Sequence, residues 1–268
     1  MHLRAERCRK LGLAVRPKKY VAVGSYKVGN PKQAALNHNQ IRDFYNTSYY
    51  KNARPNKKIM GHFSRLASKI NIQADQYVLD VACGKGEWLL AVNAMGGIPA
   101  GIDISNKAIN ICKAILPHGE FYTGPAEGLP FKDKQFHVIS CLGAIEHFLD
   151  PVKALREMVR TARDDAIFLL LVPNEGFLTR RLGFFAGTVQ ADVQEEWRTL
   201  EEWKQLFESA GLEVKKRWKD LHVLSWSWIN AKKWYHIPLR ITQAISLIFW
   251  PLAWQYQVYH LCRKGKYS

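Results

Sequence analysis

The sequence predicts a doubly wound α/β fold around a mostly parallel sheet, on three observations. Short apolar runs alternate with stretches of helical periodicity between about residues 71 and 173, the pattern of parallel strands joined by crossover helices. The run at 77–81 (YVLDV) leads into a turn with two glycines, and the run at 98–102 leads directly to Asp103. Residues 166–172 (AIFLLLV) are apolar without interruption, as a central strand covered on both faces requires.

Residues 1–36 contain Pro17, Gly24, Gly29 and Pro31, show no clear periodicity and read as a loosely structured basic arm. Aromatic residues return at 40–50 (QIRDFYNTSYY). After Pro55, Phe63, Leu66, Ala67 and Ile70 recur at helical spacing, so 37–70 reads as a helical segment preceding a core at 71–224. Within that core, strands are predicted at 77–81, 98–102, 119–122, 136–141 and 166–172. Helices are predicted at 87–95, at 106–116 with Ser105 as N-cap, and at 151–161. After Pro173 a long connection leads to a helix at 200–210, stopped by Gly211, and then to a strand at 213–218. Residues 225–254 form an insertion holding Trp226, Trp228, Trp234, Trp250 and Trp254. An alternating strand at 255–263 and a basic tail complete 255–268.

With 268 residues, 47% of them hydrophobic, the chain can bury one full core carrying appended segments. Its five cysteines lie far apart, with no CxxC pair and no Cys/His cluster. This argues against a zinc site or a disulfide framework and for a reducing, cytoplasmic compartment. The formal net charge of +16 is unevenly placed. Residues 1–65 carry 15 Lys/Arg against Glu6 and Asp43, a net +13, whereas the remainder carries 24 basic and 21 acidic side chains, a net +3. Proteins that grip nucleic acid more often spread positive charge over a folded face, so nucleic acid is not the expected partner. A solvated arm that touches anionic surfaces is. No segment reads as a secretory signal, although the Arg-rich, acid-poor start has some transit-peptide character. Residues 244–254 (AISLIFWPLAW) fall well short of the ~20 needed to span a bilayer and are interrupted by Pro251.

The sharpest signal is VLDVACGKGEW at 78–88. A buried strand delivers Asp80, and the chain turns through Gly84 and Gly86 into a helix. Glycine suits such a turn because the backbone must bend tightly and approach a ligand closely, with helix N-terminal N–H groups facing the crevice at the strands' carboxyl ends. Position 89 is Leu, so the third glycine of the dinucleotide fingerprint is missing. Asp103 follows 17 residues after Gly86 at the end of the next strand. A carboxylate there suits the vicinal hydroxyls of a ribose, and it also suits a cap on the helix beginning near Asn106.

These segments resemble the class I S-adenosylmethionine (SAM)-dependent methyltransferases, especially the small-molecule branch with the ubiquinone and menaquinone biosynthesis methyltransferases. The resemblance rests on VLDVACGKGEW (78–88), GIDIS (101–105), PAEGLPF (125–131) and FHVISCLGAIEHFLDP (136–151), in family order over some two fifths of the chain. It implies a seven-stranded Rossmann-like sheet and SAM as cofactor. It further implies that Asp80, Ala82, Gly84 and Gly86 surround the methionine end, with Asp103 on the ribose hydroxyls and Ile104 on the adenine. Ala126 and Glu127 edge that ring, and Leu142 and Gly143 line the methyl-donor pocket. Tyr45 and Tyr49 fall where relatives use an N-terminal helix as a lid, and each also reads as core packing. Two departures stand out. Pro125 replaces the Asp that often precedes Ala-Glu and leaves the adenine contact to Glu127 or a backbone carbonyl. His137 replaces an Asp in the fourth strand and reads as structural.

Methyl transfer from a sulfonium depends on holding the acceptor in line with the C–S bond, and a neutral acceptor also needs a base. Glu146 and His147 follow the fourth strand at the crevice mouth, and His147 is the candidate base. It reads equally as a cap or as packing against Phe148, and the pair with no further ligands is not expected to hold a metal. The acceptor side is expected from Asn174, Glu175, Arg180, Arg181 and the Trp-rich insertion. That insertion suits a lid or a lipid interface, and equally an extra layer over the sheet. The expected function is methyl transfer to a small-molecule or lipid-linked acceptor, with peripheral membrane contact as a corollary. The rivals are an RNA or protein methyltransferase anchored by the arm, and a non-catalytic, SAM-binding, membrane-peripheral protein. Against the first, the fifth strand ends in PNEG rather than the Asn/Asp-Pro-Pro-aromatic tetrapeptide of many amino-group methylators.

Overall fold

The strands read from the sequence all emerge: β1 (Tyr77–Val81), β2 (Ile98–Asp103), β3 (Glu120–Thr123), β4 (Phe136–Leu142), β5 (Ala162–Pro173), β6 (Leu212–Lys219) and β7 (Gln257–Lys264). They form one seven-stranded sheet of order β3-β2-β1-β4-β5-β7-β6. The first five strands run parallel to their neighbours, and β7 is antiparallel to both β5 and β6. This computed structural model describes residues 37–183, 196–222 and 237–265. The predicted arm (1–36), part of the connection after Pro173 (184–195), Trp226, Trp228 and Trp234 of the insertion, and residues 266–268 lie outside the described residues.

β5 shows why such a run is apolar. From Phe168 to Pro173 it is buried, with Leu171 opposite Leu142 of β4 on one side and Tyr259 of β7 on the other. It also begins earlier than predicted, because Arg163, Asp164 and Asp165 are exposed and carry no apolar signal. Strand pairing uses the backbone, so an exposed polar stretch can extend a strand unannounced.

The helices are α1 (His38–Phe44), α2 (Gly61–Lys69), α3 (Glu87–Ala94), α4 (Asn106–Ile115), α5 (Pro151–Thr161), α6 (Leu178–Arg181), α7 (Leu200–Ser209) and α8 (Ile237–Phe249). Their starts follow local chemistry. Ser105 Oγ accepts from the Ala108 amide at 3.2 Å, and Asp150 Oδ1 accepts from Lys153 at 2.9 Å with Pro151 in the first turn. Thr199 and Glu202 form a capping box. Leu155, Met158, Trp203 and Phe207 of α5 and α7 cover one sheet face. Leu66, Trp88, Leu89, Ile109 and Ile115 of α2, α3 and α4 cover the other. Each such burial stabilises by about 1.5–3 kcal/mol.

The topology reverses at β1. The chain steps outward from β1 to β3 and then returns, placing β4 on β1's other side. Crossovers therefore leave β1 in opposite directions and open a crevice at the strands' carboxyl ends.

Candidate functional site

A cavity of about 590 Å³ lies in that crevice. It gathers Asp80 and Ala82 from the end of β1, Gly84 from the following turn, Asp103 and Ile104 from the end of β2, and Ala126 and Glu127 from the loop after β3. Leu142 and Gly143 at the end of β4, His147, and Tyr45 and Tyr49 from the N-terminal segment complete the sequence-predicted residues that line it. Gly86 and Glu146 are buried beside it and do not line it.

The turn after β1 is left-handed at three positions: Ala82 (φ 60°), Gly84 (φ 54°) and Gly86 (φ 75°). Ala82 carries a Cβ in this region, a backbone cost of roughly 1–2 kcal/mol concentrated at the site. The two glycines serve different ends. A Cβ on Gly84 would sit 3.0 Å from the Tyr50 hydroxyl, across the cavity wall, and the Gly84 amide donates to Asp103 Oδ2 at 2.9 Å. A Cβ on Gly86 would meet Cys112 Sγ of α4 at 3.1 Å, so this glycine lets two helices approach.

Two of the buried carboxylates lining the cavity stand at the ends of β1 and β2. Asp80 lies opposite Ser140 of β4, whose hydroxyl donates to Asp80 Oδ1 at 2.6 Å and accepts from the Trp88 indole at 2.9 Å. Burial pushes the Asp80 carboxyl up to about 7. The Ser140 hydrogen bond opposes the shift, and the neighbouring Asp103 charge adds to it. Asp103 is likewise raised by burial, against hydrogen bonds from the Ser105 and Gly84 amides at 2.8 and 2.9 Å. A crevice that keeps two acids desolvated and short of positive partners suits a cationic ligand rich in hydroxyls.

Much of the remaining wall comes from residues 38–53. α1 runs into a π-helical turn at Tyr45–Tyr49, a geometry rare in general and frequent at functional sites. Asn46 Oδ1 accepts from Ser105 Oγ at 2.7 Å and from the Lys107 amide at 3.3 Å, and Lys107 Nζ donates to the Lys51 carbonyl at 2.7 Å. His38 Nε2 lies 3.3 Å from Glu127 Oε2, while Glu127 Oε1 accepts from the Leu149 and Asp150 amides at 3.0 and 3.2 Å. Glu127 thus ties the N-terminal segment to the entry of α5, as well as lining the cavity. Tyr45, Tyr49 and Tyr50 pack ring against ring, with centroids 4.8–6.1 Å apart. Only Tyr50 of the three is buried, and burial moves its phenol far upward.

A methyltransferase-domain family profile matches residues 50–216, more than half of the chain. The chain belongs to the class I SAM-dependent methyltransferase family. An uncharacterized methyltransferase of Bacillus subtilis is 33% identical over 104 residues, covering 37% of this chain and 41% of that protein. A demethylmenaquinone methyltransferase of Chlorobaculum parvum is 30% identical over 97 residues, covering 36% and 40%. The chain thus spans about two fifths of the length of these curated relatives. Among solved structures, one match is to the complex between the Haloferax volcanii Trm112 methyltransferase activator and a methyltransferase. It has a TM-score of 0.58 and 16% identity, and covers 76% of this chain and 89% of that one. At that identity the likeness is one of fold.

His147 lines the cavity from the 3₁₀ turn Ile145–His147, its amide donating to the Ala144 carbonyl at 2.9 Å. The neighbouring Glu146 side chain turns into the protein, and its carbonyl accepts from the Glu196 amide. Asn174 does not face an open crevice. Its side-chain amide donates to the Ala253 and Gln255 carbonyls at 2.8 and 3.1 Å, holding the segment before β7. Arg180 pairs with Glu175 at 3.6 Å and lies over the Trp197 ring, and Trp203 is core, its indole donating to the Pro173 carbonyl at 2.7 Å. His137 accepts from the Tyr77 amide at 3.1 Å, at the far end of the sheet from the cavity. Among the described residues, no three His, Cys, Asp or Glu side chains gather where they could hold a metal.

Sequence reasoning missed Tyr50, Ser140, Asn46 and His38. A lone serine in the apolar strand FHVISCL was the one available signal for Ser140. It also missed Asp220 and His222 after β6, where Asp220 Oδ2 lies 2.6 Å from His222 Nδ1 and raises the imidazole pKa.

Proposed function

We propose that this chain moves a methyl group from SAM to a small-molecule or lipid-linked acceptor. The observation that carries the reading is the pairing of Asp80 and Asp103, two desolvated carboxylates on adjacent strand tips, with the Gly84 turn between them. A cationic sulfonium nucleoside supplies what both lack, and the cradle that a Cβ on Gly84 would fill suits its close approach.

In this reading Asp80 balances the positive methionine end, and the two Asp103 oxygens, each with a lone pair beyond its backbone bond, accept from the ribose hydroxyls. Ile104, Ala126 and Glu127 hold the adenine, Leu142 and Gly143 flank the sulfonium, and Tyr45, Tyr49 and Tyr50 cover the site from the N-terminal segment. When bound, SAM supplies an activated methyl carbon. The chain's part is to orient the acceptor, exclude water, and accept a proton at His147 where the acceptor is neutral.

The relatives named demethylmenaquinone methyltransferases support a lipid-linked acceptor, and we place the chain in the cytoplasm with peripheral membrane contact through residues 225–254. Calorimetric titration with SAM and its demethylated product tests the cofactor, and finding neither bound refutes the proposal. The acceptor is tested by finding which extracted metabolite takes up labelled methyl. A rival RNA or protein methyltransferase draws on the basic N-terminal residues. That rival requires activity that falls with added salt and with removal of 1–36, whereas salt-insensitive, arm-independent activity supports the present reading.

A further inference from the structure

α8 presents apolar side chains to the outside. Ile241, Ile245, Ile248 and Phe249 recur at i, i+4, i+7 and i+8, which places them on one face, and all four are exposed. Phe249 is 80% exposed and Ile245 51% exposed, whereas Ala244 is buried. Two tryptophans adjoin this face. Trp250 and Trp254 meet edge to face with centroids 6.4 Å apart, and Trp254 is itself partly exposed.

The charge on α8 itself has one sign. Its helical residues hold one cation and no carboxylate, and the sequence has no acidic residue after Asp220. Arg240 lies on α8, and Lys219 Nζ donates to the Ile248 carbonyl at 2.6 Å, setting a cation at the helix's carboxyl end. Asp220 itself is paired with His222. An apolar stripe edged by tryptophan and lysine or arginine, with no carboxylate of its own, complements a bilayer surface bearing negative headgroups.

The chain after the stripe reaches the carboxyl end of β5, the end of the sheet at which the cavity lies. The chain leaves α8 through the turn Leu252–Trp254, which Asn174 ties to the carboxyl end of β5, and enters β7 at Gln257. Gln257 Nε2 lies 3.8 Å from where a Cβ on Gly143 would stand, and Gly143 lines the cavity.

We propose that the exposed face of α8, with Trp250 and Trp254, docks in the headgroup layer of an anionic lipid bilayer and sets the cavity's acceptor side against it. This rests on the membrane-peripheral reading above, not on methyl transfer itself. Among the described residues no helix is long and apolar enough to cross a membrane, so the contact is interfacial.

Full-length protein is to be sedimented with vesicles of phosphatidylcholine alone or mixed with phosphatidylserine, beside the double variant Ile245→Ser/Phe249→Ser. The wild type is expected to partition onto the mixed vesicles, more weakly onto the neutral ones, and the variant at least about tenfold less onto the mixed vesicles. Because both side chains are already exposed, the melting temperature is expected to stay the same. Equal partitioning of variant and wild type overturns the proposal, since the basic arm then suffices. So does a marked fall in melting temperature, which would mean the chain itself covers the face. A dimer that becomes a monomer in the variant with vesicle binding unchanged overturns it as well, by making a second copy the occupant. SAM titration of the same samples reports on the methyltransferase reading independently.

Discussion

Ser140 Oγ donates to Asp80 Oδ1 at 2.6 Å while accepting from the Trp88 indole at 2.9 Å, so one hydroxyl on β4 links the acid at the tip of β1 to the first turn of α3. All three side chains are buried, and an indole N–H or carboxylate left without its partner there costs about 1–3 kcal/mol. Ser140→Ala is expected to lower stability by that amount in denaturant titrations. Because the lost bond was holding the Asp80 pKa down, the variant's SAM affinity at neutral pH is also expected to fall. A variant with wild-type stability and affinity would show the relay to be incidental.

Asp80 predicts a pH dependence with opposite signs for ligand binding and folding. Its folded pKa of about 7 stands well above the ordinary 3.8. A cationic ligand needs the ionised form, so SAM affinity is expected to rise as pH increases through 7, with proton release on binding. Calorimetry in buffers of differing ionisation enthalpy reads that release. For the ligand-free fold, an acid with a raised pKa holds its proton more tightly when folded. Its stabilising contribution is present below pH 3.8 and is lost as pH climbs to about 7. Asp80→Asn is expected to flatten both dependences.

Asp103→Ala removes the acceptor of the Gly84 and Ser105 amides together with the proposed ribose contact. SAM affinity is expected to fall more than about tenfold, equivalent to about 1.4 kcal/mol. Unchanged calorimetric affinity would refute the ribose role.

Gly84 and Tyr50 are expected to be coupled. Gly84→Ala adds a Cβ 3.0 Å from the Tyr50 hydroxyl at a φ of 54°, and is expected to weaken SAM binding. Tyr50→Phe removes the hydroxyl but not the backbone strain, so the double variant is expected to recover part of the loss. Strict additivity would indicate that the strain alone matters.

His147→Ala is expected to lower turnover while leaving SAM affinity unchanged, because His147 lines the cavity and is proposed to act on the acceptor's proton rather than to hold SAM. An unaltered rate would return this histidine to a packing role.

The core of the sheet was legible because its signals are local. A buried parallel strand must be apolar throughout, and the glycines after Asp80 mark a turn that other residues adopt only under strain. The same locality explains the misses. Gly86 reads as a ligand glycine, yet the space it frees is taken by Cys112 of α4, a partner 26 residues on. Glu127 reads as an adenine contact, yet it also joins His38 to the start of α5. Of three tyrosines in one segment, Tyr50 is the buried one. The π-helical turn that rotates it inward has no pattern in YNTSYY.

The sequence by itself determined that parallel strands alternate with helices, that an acid and a glycine turn end the first strand, and that an acid ends the second. Hydrophobic period and turn chemistry act over a few residues. Only the tertiary structure decided which groups meet: Ser140 against Asp80 and Asn46 against Ser105, with an apolar face of α8 left outward. Those pairings depend on strand order and on how segments fold back across 59 and 60 residues, and no local pattern of side chains encodes that distance.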